Sequence, residues 1–358
     1  MKILLIRLRL IGDVVFTTPV LRALKRQFPH ARLSYLVERE AAAVVRNHPD
    51  IEELIVIERR RGVRRIVDDL LLAARLRRTR FDVVIDLHGG PRSSWLTRAS
   101  GAPQRIGYDV AGRSWLYTRT VARPRELRPR HSVVNQWDLL SAIDGWTGSA
   151  PHPAVDSVTM AGDAEAENAI VRRLRAQNIG PEHELMVVHV SAGNPFRRWP
   201  EVAFVCLICA LASANERRRI ILSSGPADAP AADRIVAAAR TELGADRAER
   251  VVDFGDFNLA ELRALVARSR LFVGGDTGPL HIAATTRTPI VGIFGPTLSA
   301  RSAPWRDPAL PTESVEIPGL PCRPCEQRVC VPGDFRCLTT LKPDEVISAA
   351  ERALRRGA

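Results

Sequence analysis

The sequence predicts an α/β protein with two doubly wound units, each a parallel sheet covered by helices on both faces. Three observations support this. Short apolar segments of strand length alternate with longer amphipathic segments through both halves of the 358 residues, which is the pattern of repeated β-α units. The apolar segments are nearly continuous, as in parallel strands buried on both faces. A chain of this length also exceeds the usual size of one domain, so we expect two cores.

In the first half, five predicted strands alternate with helices. The strands are 2–8, Arg32–Val37, Glu53–Ile57, Phe81–Leu87 and Gln104–Gly107, and the helices are 13–28, Ala41–Asn47, Val63–Arg78, Ser93–Ser100 and His131–Ile143. Pro19 predicts either a kink in the first helix or a helix start after Thr17-Thr18. Residues 119–129, rich in Pro and Arg, are predicted to form a loop. Residues 144–162, rich in Gly, Pro and Ser, are predicted to form a linker.

The second half repeats the alternation. Its predicted strands are Leu185–Val190, Arg219–Ser223, Val251–Phe254, Leu271–Val273 and Ile290–Phe294, and its helices are Ala164–Gln177, 200–214, 230–242, Leu259–Ser269, 279–286 and Pro343–Arg355. We therefore place a first domain at 1–160, a second at 161–342 and a final helical segment at 343–358. Ligands of such sheets bind beyond the carboxyl ends of the strands, so the turns there are candidate sites.

Composition and charge limit the classes of function. With 46% hydrophobic and 26% charged residues, the chain is predicted to be a soluble globular protein. Apolar runs stay well below the roughly 20 residues that cross a bilayer, and Arg7 and Arg9 interrupt the N-terminal run too early for a signal peptide. We expect a cytoplasmic protein.

The formal net charge of +12 favours polyanionic partners, or reflects solvated arginine-rich helix faces. Nucleic acid, anionic lipid and a phosphorylated glycolipid all have the required charge. Aromatic residues interleaved with the basic clusters would support nucleic acid better, and aromatic residues make up only 5% of the chain. A membrane surface fits the charge at least as well, and no nucleic-acid partner is expected.

The stretch 271–297, LFVGGDTGPLHIAATTRTPIVGIFGPT, has the strongest local signal. A strand and two glycines precede Thr277 or Gly278, either of which can cap a helix, and Pro279 suits a first turn because that position needs no intrahelical N–H partner. His281 then lies in the first turn. Unpaired N–H groups beside an imidazole suit a phosphate or pyrophosphate. Alternatively, these residues only begin a helix and His281 has no ligand.

A second candidate is Gly12-Asp13, at the turn between the first strand and the first helix. A carboxylate here acts as a general base if an acceptor hydroxyl comes within hydrogen-bond reach. Alternatively, Asp13 only complements the helix dipole. The glycine pattern Gly-x-Gly-x-x-Gly is missing, which argues against a nicotinamide or flavin enzyme.

A third candidate follows the first strand of the second half. Ser191-Ala192-Gly193 leaves room for a phosphate, and Arg197 and Arg198 supply charge that persists at every relevant pH. Both arginines are alternatively solvated surface cations.

The combination Asp276-Thr-Gly-Pro-x-His-x-Ala-Ala, followed by Pro289 and by Phe-Gly-Pro-Thr ending at Thr297, resembles the heptosyltransferase family of bacterial lipopolysaccharide synthesis. Leu8-x-x-Ile-Gly-Asp13 with Thr18-Pro19 and Leu24 is similar to the first motif of that family. The resemblance implies the GT-B architecture, two Rossmann-like domains facing across a cleft. It also implies an inverting glycosyltransferase that uses ADP-heptose.

The resemblance also implies roles for single residues. Asp13 is the base, with Gly12 on the acceptor-side loop. Asp276 contacts the donor sugar, while the backbone of Thr277 and Gly278 and the side chain of His281 contact the pyrophosphate. The final helix packs back on the first domain.

Other donor-side roles match the family less closely. Arg197 stands where the family usually has a lysine, so a role shared with Arg198 is left open. Asp228 stands where the family often has a glutamate that holds the nucleoside, and Ser191 lies on the donor side. No cofactor or catalytic metal is required, because helix dipole, arginine and histidine can stabilise the leaving ADP.

Four cysteines fall close together near the C-terminus: Cys322, Cys325, Cys330 and Cys337. In a cytosolic protein such a cluster favours a metal over disulfides, but only the first spacing is typical of zinc or cluster iron. The cluster predicts a structural metal, reduced structural thiols or a redox function, and these remain open. Cys206 and Cys209 are expected in the core.

Taken together, the residues and the resemblance predict transfer of heptose from ADP-heptose to the inner core of lipopolysaccharide. The expected partners are the nucleotide sugar, the lipopolysaccharide acceptor and the cytoplasmic surface of the inner membrane. The alternatives are a glycosyltransferase with another nucleotide sugar, a nucleotide-sugar epimerase, and a polyanion-binding protein without enzymatic activity.

Overall fold

The structure is a computed structural model that describes residues 1–123, 129–190 and 194–357. The chain forms two compact units, Met1–Ala161 and Gly162–Ala358. Each unit contains a six-stranded sheet in which every pair of neighbouring strands is parallel. The α/β class predicted from the sequence is therefore confirmed in both halves.

The first unit has the strand order β3-β2-β1-β4-β5-β6. Its strands are β1 Lys2–Ile6, β2 Arg32–Glu38, β3 Glu53–Ile57, β4 Val83–Asp86, β5 Gln104–Asp109 and β6 Arg119–Ala122. Its α-helices are α1 Ile11–Val15, α2 Thr18–Gln27, α3 Ala42–Val45, α4 Gly62–Thr79, α5 Pro91–Ala99 and α6 Ser132–Trp137. Short 3-10 helices cover Arg39–Ala41, Ser114–Leu116 and Asp138–Ala142.

The centre of this sheet fixes where a ligand can bind. Residues 3–6 of β1 are fully buried because β2 and β4 flank the strand and helices cover both faces. The strand order reverses between β1 and β4, which opens a crevice at the carboxyl ends of these two strands. The loops after β1 and β4 therefore carry the candidate residues of the first unit.

The first predicted helix is two helices. α1 ends at Val15 and α2 begins at Thr18, with Pro19 in its first turn. Proline is tolerated there because the first turn has no intrahelical acceptor for its missing N–H. Of the two alternatives that Pro19 allowed, the new helix start is correct.

Strand β6 lies where the sequence predicts a loop. Arg119–Ala122 is mostly exposed and pairs with β5 at the edge of the sheet. An edge strand with polar side chains lacks the apolar run that signals a buried strand, so backbone pairing alone identifies it.

The predicted linker is anchored in the first unit. The carboxylate of Asp156, which is 3% exposed, forms an ion pair with Arg26 of α2 at 2.6 Å. The backbone N–H of Thr159 donates to Oγ1 of Thr18 at 2.9 Å. Residues 152–160 are therefore part of the fold of this unit rather than a solvated tether.

The second unit has the strand order β12-β11-β10-β7-β8-β9. Its strands are β7 Glu184–His189, β8 Arg218–Ser223, β9 Val251–Asp253, β10 Leu271–Gly275, β11 Ile290–Phe294 and β12 Thr312–Glu316. Its α-helices are α7 Ala164–Ala176, α8 Glu201–Ala214, α9 Ala229–Leu243, α10 Ala245–Ala248, α11 Leu259–Ala267, α12 Gly278–Ala283, α13 Ser299–Ser302, α14 Arg336–Thr339 and α15 Pro343–Arg356. The polar edge strand β12 was not predicted.

The final helix, α15, packs within the second unit. It contacts α8 and the strands β11 and β12, and it buries Val346, Ala349, Ala350 and Ala353 completely. These contacts account for the buried face of the helix. Its packing on the first domain stays a prediction.

In the described part of the chain, no helix is both long enough and apolar enough to span a bilayer.

Candidate active site

Asp13 lies in the short helix α1, immediately beyond β1. Its Oδ2 forms an ion pair with Arg7 at 2.5 Å, and the side chain of Asp13 is 35% exposed whereas that of Arg7 is 11% exposed. Arg7 is held in turn by the carbonyl of Leu87, which accepts from its NH1 at 2.5 Å. A fixed guanidinium thus orients an accessible carboxylate, as a general base requires.

His88 follows β4 and lies beside the Asp13 loop. Its Nδ1 is 3.2 Å from the carbonyl oxygen of Arg9. Burial lowers the pKa of His88 to about 4, and the charges of Arg7 and Arg9 add to this effect. The imidazole is therefore neutral near neutral pH and can offer one donor and one acceptor to a bound hydroxyl.

A fully buried carboxylate, Asp86, holds the loop that carries His88. Its Oδ1 accepts from the backbone N–H groups of His88 and Gly89, each at 2.9 Å. Its Oδ2 accepts from Ser93 Oγ at 2.9 Å and from Tyr117 OH at 2.7 Å. Burial raises the pKa of Asp86 despite these donors. The network fixes the backbone of the loop without exposing Asp86 to a ligand.

A cationic cavity of about 280 Å³ adjoins these loops at the carboxyl edge of the sheet. Its basic lining residues come from the segments that follow several strands and from the first turns of α4 and α5: Arg9, Arg59, Arg60, Arg61, Arg65, His88 and Arg92. Glu38 is the acidic lining residue, and its Oε1 is 3.3 Å from NH1 of Arg92. The excess of guanidinium groups suits a multiply charged anion such as a phosphate ester.

In the second unit, Asp276 is the centre of the candidate site. It follows β10 and is 4% exposed. Its Oδ1 lies 3.5 Å from Nε2 of His281, and its Oδ2 lies 3.4 Å from NH1 of Arg197. NH1 of Arg197 also donates to the backbone carbonyl of Asp276 at 2.6 Å. Residues predicted from two separate motifs, Asp276 and His281 from one and Arg197 from the other, therefore meet at the end of one strand.

The carboxylate of Asp276 is ionised despite its burial. Burial by itself favours the neutral acid, but the hydrogen bond and charge of His281, together with the charge of Arg197, outweigh it and lower the pKa of Asp276. Within the described residues, its Oδ2 accepts no hydrogen bond. A buried acceptor of this kind is suited to a hydroxyl group of a bound sugar.

The turn after Asp276 begins helix α12 at Gly278, one residue before the predicted start. Thr277 is the N-cap residue but makes no side-chain capping bond, and its Oγ1 donates instead to the carbonyl of Gly275 at 3.3 Å. No side-chain cap therefore occupies the backbone N–H groups at the start of α12, and those of Thr277 and Gly278 can donate to an anionic ligand. Pro279 lies in the first turn as predicted.

The first of the two glycines before Asp276 is closely packed. A Cβ on Gly274 would lie 3.0 Å from the ring of Phe272 and 3.2 Å from Cβ of His189. The absence of a side chain at Gly274 therefore permits close contact between β10 and β7.

Arg197 has a partner that the sequence did not indicate. Its Nε donates to Oε1 of Gln327 at 2.7 Å, and Nδ2 of Asn194 donates to the same oxygen at 3.0 Å. Because Gln327 is 130 residues away along the chain, no local pattern could have revealed this contact. The pair of amides holds the guanidinium against Asp276.

Arg198 and Asp228 also come together. NH2 of Arg198 lies 3.0 Å from Oδ1 of Asp228, whose side chain is 7% exposed. Arg198 thus holds the carboxylate that the resemblance assigns to the nucleoside. Nearby at the ends of β7 and β8, Nδ1 of His189 lies 2.9 Å from Ser223 Oγ, and burial lowers the pKa of His189 to about 4.

Ser191 lies outside the described residues, together with Ala192 and Gly193. Its donor-side role stays a prediction.

The four C-terminal cysteines line one cavity of about 400 Å³, together with Phe196 and Phe335. All four are free thiols, and burial raises the pKa of the Cys337 thiol to about 11. Within the described residues, no group of three or more potential ligands has an arrangement that could hold a metal ion.

The other two cysteines differ from each other. Cys209 packs against the core and its Sγ lies 3.6 Å from the carbonyl of Ala239. Cys206 is exposed, so the expectation of core packing is wrong for this residue.

Sequence reasoning missed several residues of the candidate site. Arg7 and His88 stand at or just beyond the ends of buried strands, and this position was an available signal. The cationic cavity was expected only as a general basic patch, because the convergence of its arginines depends on strand order.

Comparison with known proteins shows the family to which the chain belongs. The profile of glycosyltransferase family 9 (heptosyltransferase) matches residues 70–332. Lipopolysaccharide heptosyltransferase 3 of Escherichia coli is 23% identical over 352 residues, which is 97% of each chain. The chain belongs to glycosyltransferase family 9.

Solved structures agree on the fold. A family 9 glycosyltransferase from Veillonella parvula superimposes with a TM-score of 0.82 at 21% identity, covering 99% of this chain and 97% of that one. An E. coli heptosyltransferase solved with ADP gives a TM-score of 0.71 at 21% identity, covering 99% of this chain and 100% of that one. The predicted GT-B fold class, with two parallel α/β sheets, is confirmed.

Proposed function

We propose that this glycosyltransferase transfers heptose, with inversion, from ADP-heptose to the inner core of lipopolysaccharide. The observation that carries the proposal is the meeting of Asp276, His281 and Arg197 at the end of β10. Acidic and basic groups held this closely suit a ligand that combines sugar hydroxyl groups with a charged pyrophosphate. The relatives of this chain that act as heptosyltransferases support heptose as the sugar.

On the donor side, Asp276 orients a hydroxyl of the sugar through its Oδ2. His281, Arg197 and the backbone of Thr277 and Gly278 stabilise the pyrophosphate as negative charge grows on the leaving group. Asp228, held by Arg198, lies where the nucleoside binds. The charges come from the protein itself, so this scheme requires no metal ion.

On the acceptor side, Asp13 removes the proton of the attacking hydroxyl. The acceptor oxygen bonds to the anomeric carbon while the bond from that carbon to the ADP oxygen breaks on the opposite face, which inverts the configuration. The proton remains on Asp13 and the electron pair leaves with ADP. The cationic cavity beside His88 holds phosphates of the lipopolysaccharide core.

Activity with a panel of substrates tests the proposal. Purified protein is incubated with ADP-heptose, UDP-glucose or GDP-mannose, each with and without lipopolysaccharide that lacks heptose. We expect ADP release and a heptose-sized mass increase of the acceptor only with ADP-heptose and acceptor together. Turnover restricted to another nucleotide sugar would contradict the donor assignment, and turnover of the donor without acceptor would indicate an epimerase or hydrolase.

The metal-independent scheme has a separate test. Protein treated with EDTA and then freed of it is assayed with and without added Mg²⁺, Mn²⁺ or Zn²⁺. If turnover is unchanged by the treatment, this supports stabilisation of the leaving ADP by Arg197 and His281 rather than by a metal ion. Loss of turnover that a metal restores would contradict it.

A further inference from the structure

Helix α4 has two apolar faces, and only one of them is covered. Leu72 and Leu76 point into the first unit, where they are 9% and 0% exposed and pack in its core. The opposite side carries five large aliphatic side chains that remain in solvent: Val63, Ile66, Val67, Leu70 and Leu71, which are 75%, 60%, 49%, 56% and 66% exposed. We call these five residues the open face of α4.

The open face is one continuous stripe. With 3.6 residues per turn, the five positions fall within an arc of about 140°, and the buried pair Leu72 and Leu76 lies on the other side of the helix axis. A surface helix normally has polar residues on its solvent side. The open face therefore indicates a surface that meets an apolar partner.

The charge around the open face identifies the partner. Residues 59–80 contain nine arginines and two aspartates. The two aspartates are already paired, Asp68 with Arg60 at 3.5 Å and Asp69 with Arg92 at 2.6 Å. Helical rotation places the exposed residue Arg64 just beyond one edge of the open face, and it places the exposed residue Arg78 near the same edge, two turns past Leu71.

We propose that the open face of α4 docks on an anionic phospholipid bilayer. The helix lies parallel to the surface, with Ile66 and Leu70 inserted among the acyl chains. The arginines at its border extend to the phosphate groups of the lipids. A second copy of the chain fits less well, because a symmetric contact would bring two arginine-rich segments together. The inference extends the proposed function but does not rest on it.

Vesicle sedimentation tests the proposal with the full-length protein. Vesicles of phosphatidylglycerol and phosphatidylethanolamine are compared with vesicles of phosphatidylcholine alone, without lipopolysaccharide or nucleotide sugar. We expect binding to the anionic vesicles, weakened by added salt, and little binding to the neutral ones. Ile66→Glu/Leu70→Glu and Arg64→Gln/Arg78→Gln should each weaken partition by about tenfold or more, whereas Val202→Glu, at an exposed position of α8, should not.

Circular dichroism and thermal melting confirm that each variant is folded, as expected for exposed positions. Wild-type protein that fails to bind anionic vesicles would overturn the proposal. Binding by Ile66→Glu/Leu70→Glu equal to that of Val202→Glu would overturn it as well. Light scattering gives a further decisive outcome: a wild-type dimer that this double variant converts to a monomer would assign the open face to a second copy. Because the vesicles lack both substrates, none of these results depends on the proposed transfer reaction.

Discussion

At the scale of single residues, the two candidate carboxylates have opposite surroundings. The side chain of Asp13 is 35% exposed and forms an ion pair with Arg7. The side chain of Asp276 is 5% exposed and lies between His281 and Arg197. A base must be reachable by the incoming hydroxyl, whereas a group that orients the donor gains from being fixed. The environments match the separate roles proposed for them.

Asp13→Asn removes the proton acceptor and leaves the donor half of the site unchanged. Because general base catalysis contributes typically 10²–10⁴-fold, we expect kcat to fall by about that factor while donor affinity stays the same. Steady-state kinetics and calorimetric titration with ADP-heptose measure the two quantities. Asp246→Asn, at an exposed position of α10, is the matched control. Full turnover by Asp13→Asn would show that another group is the base.

Asp276→Asn should weaken donor binding and change the pH dependence of stability. The pKa of Asp276 in the folded protein lies below its ordinary value of 3.8, so the unfolded chain binds more protons as the pH falls. The stability gained from ionised Asp276 is then fully present above about pH 4 and is lost below it. Urea denaturation of wild type and variant at several pH values measures this difference. The difference in the free energy of unfolding between wild type and variant should therefore shrink as the pH falls from 5 to 3. A difference that grows would contradict the ionised state assigned to Asp276.

His189 should make the fold sensitive to mild acid. Its pKa is about 4 in the folded protein and 6.5 ordinarily, so below pH 6.5 the unfolded chain takes up a proton that the folded chain does not. The folded state loses about 2 kcal/mol of relative stability between pH 6.5 and 5 through this residue. We expect His189→Gln to reduce the acid dependence of the urea midpoint, and the exposed-site variant His30→Gln to leave it unchanged. If the urea midpoints of wild type and His189→Gln changed with pH in the same way, His189 would not be a source of the acid sensitivity.

At the scale of elements, the two strands that were missed, β6 and β12, are polar edge strands, whereas the edge strands β3 and β9 were predicted from their apolar residues. β6 and β12 carry Arg, Thr, Glu and Ser, and each joins its sheet at the outer edge. Half of an edge strand faces solvent, so its sequence has no need of an apolar run, and only pairing with β5 or β11 makes it a strand. The interior strands are buried on both faces and therefore read as apolar runs.

The attachment of α15 depends on a partly buried ion pair with β8. Arg218 forms two contacts with Glu351, at 2.6 and 3.2 Å, and the side chain of Arg218 is only 9% exposed. We expect Glu351→Gln to lower the free energy of unfolding by about 2 kcal/mol, because it leaves a buried guanidinium without its countercharge. Arg352→Gln, which breaks the exposed pair with Glu313 on the same helix, should cost less than about 1 kcal/mol. Equal effects in urea denaturation would contradict the dominant role of the buried pair.

At the scale of the whole molecule, the residues proposed for the donor are confined to the second unit. Arg197, Arg198, Asp228, Asp276 and His281 all lie within Gly162–Ala358, as do the contacts described for them. Asp13 and the cationic cavity lie within Met1–Ala161. In the proposed function, donor and acceptor recognition are thus divided between units that each have their own sheet and core.

This division predicts how fragments behave. A fragment of residues 162–358 should fold, because its sheet and core are complete, and bind ADP within about tenfold of the full-length affinity. A fragment of residues 1–161 should fold and show no binding. Circular dichroism checks folding and calorimetry checks binding, with Asp276→Asn in the larger fragment as the control. A folded 162–358 fragment without affinity for ADP would contradict the assignment of the donor to this unit.

The sequence by itself determined the α/β class, the described strands other than β6 and β12, and the motifs around Asp13 and Asp276, and it limited Pro19 to a kink or a helix start. These features depend on hydrophobic periodicity, helix capping and turn-forming residues, all of which can be recognised within a short stretch of neighbouring residues. Only the tertiary structure decided that Gln327 holds Arg197, that Arg7 and His88 flank Asp13, and that α4 has an open face. Contacts between residues many positions apart follow from strand order and packing, and neither property is present in any short stretch of the chain.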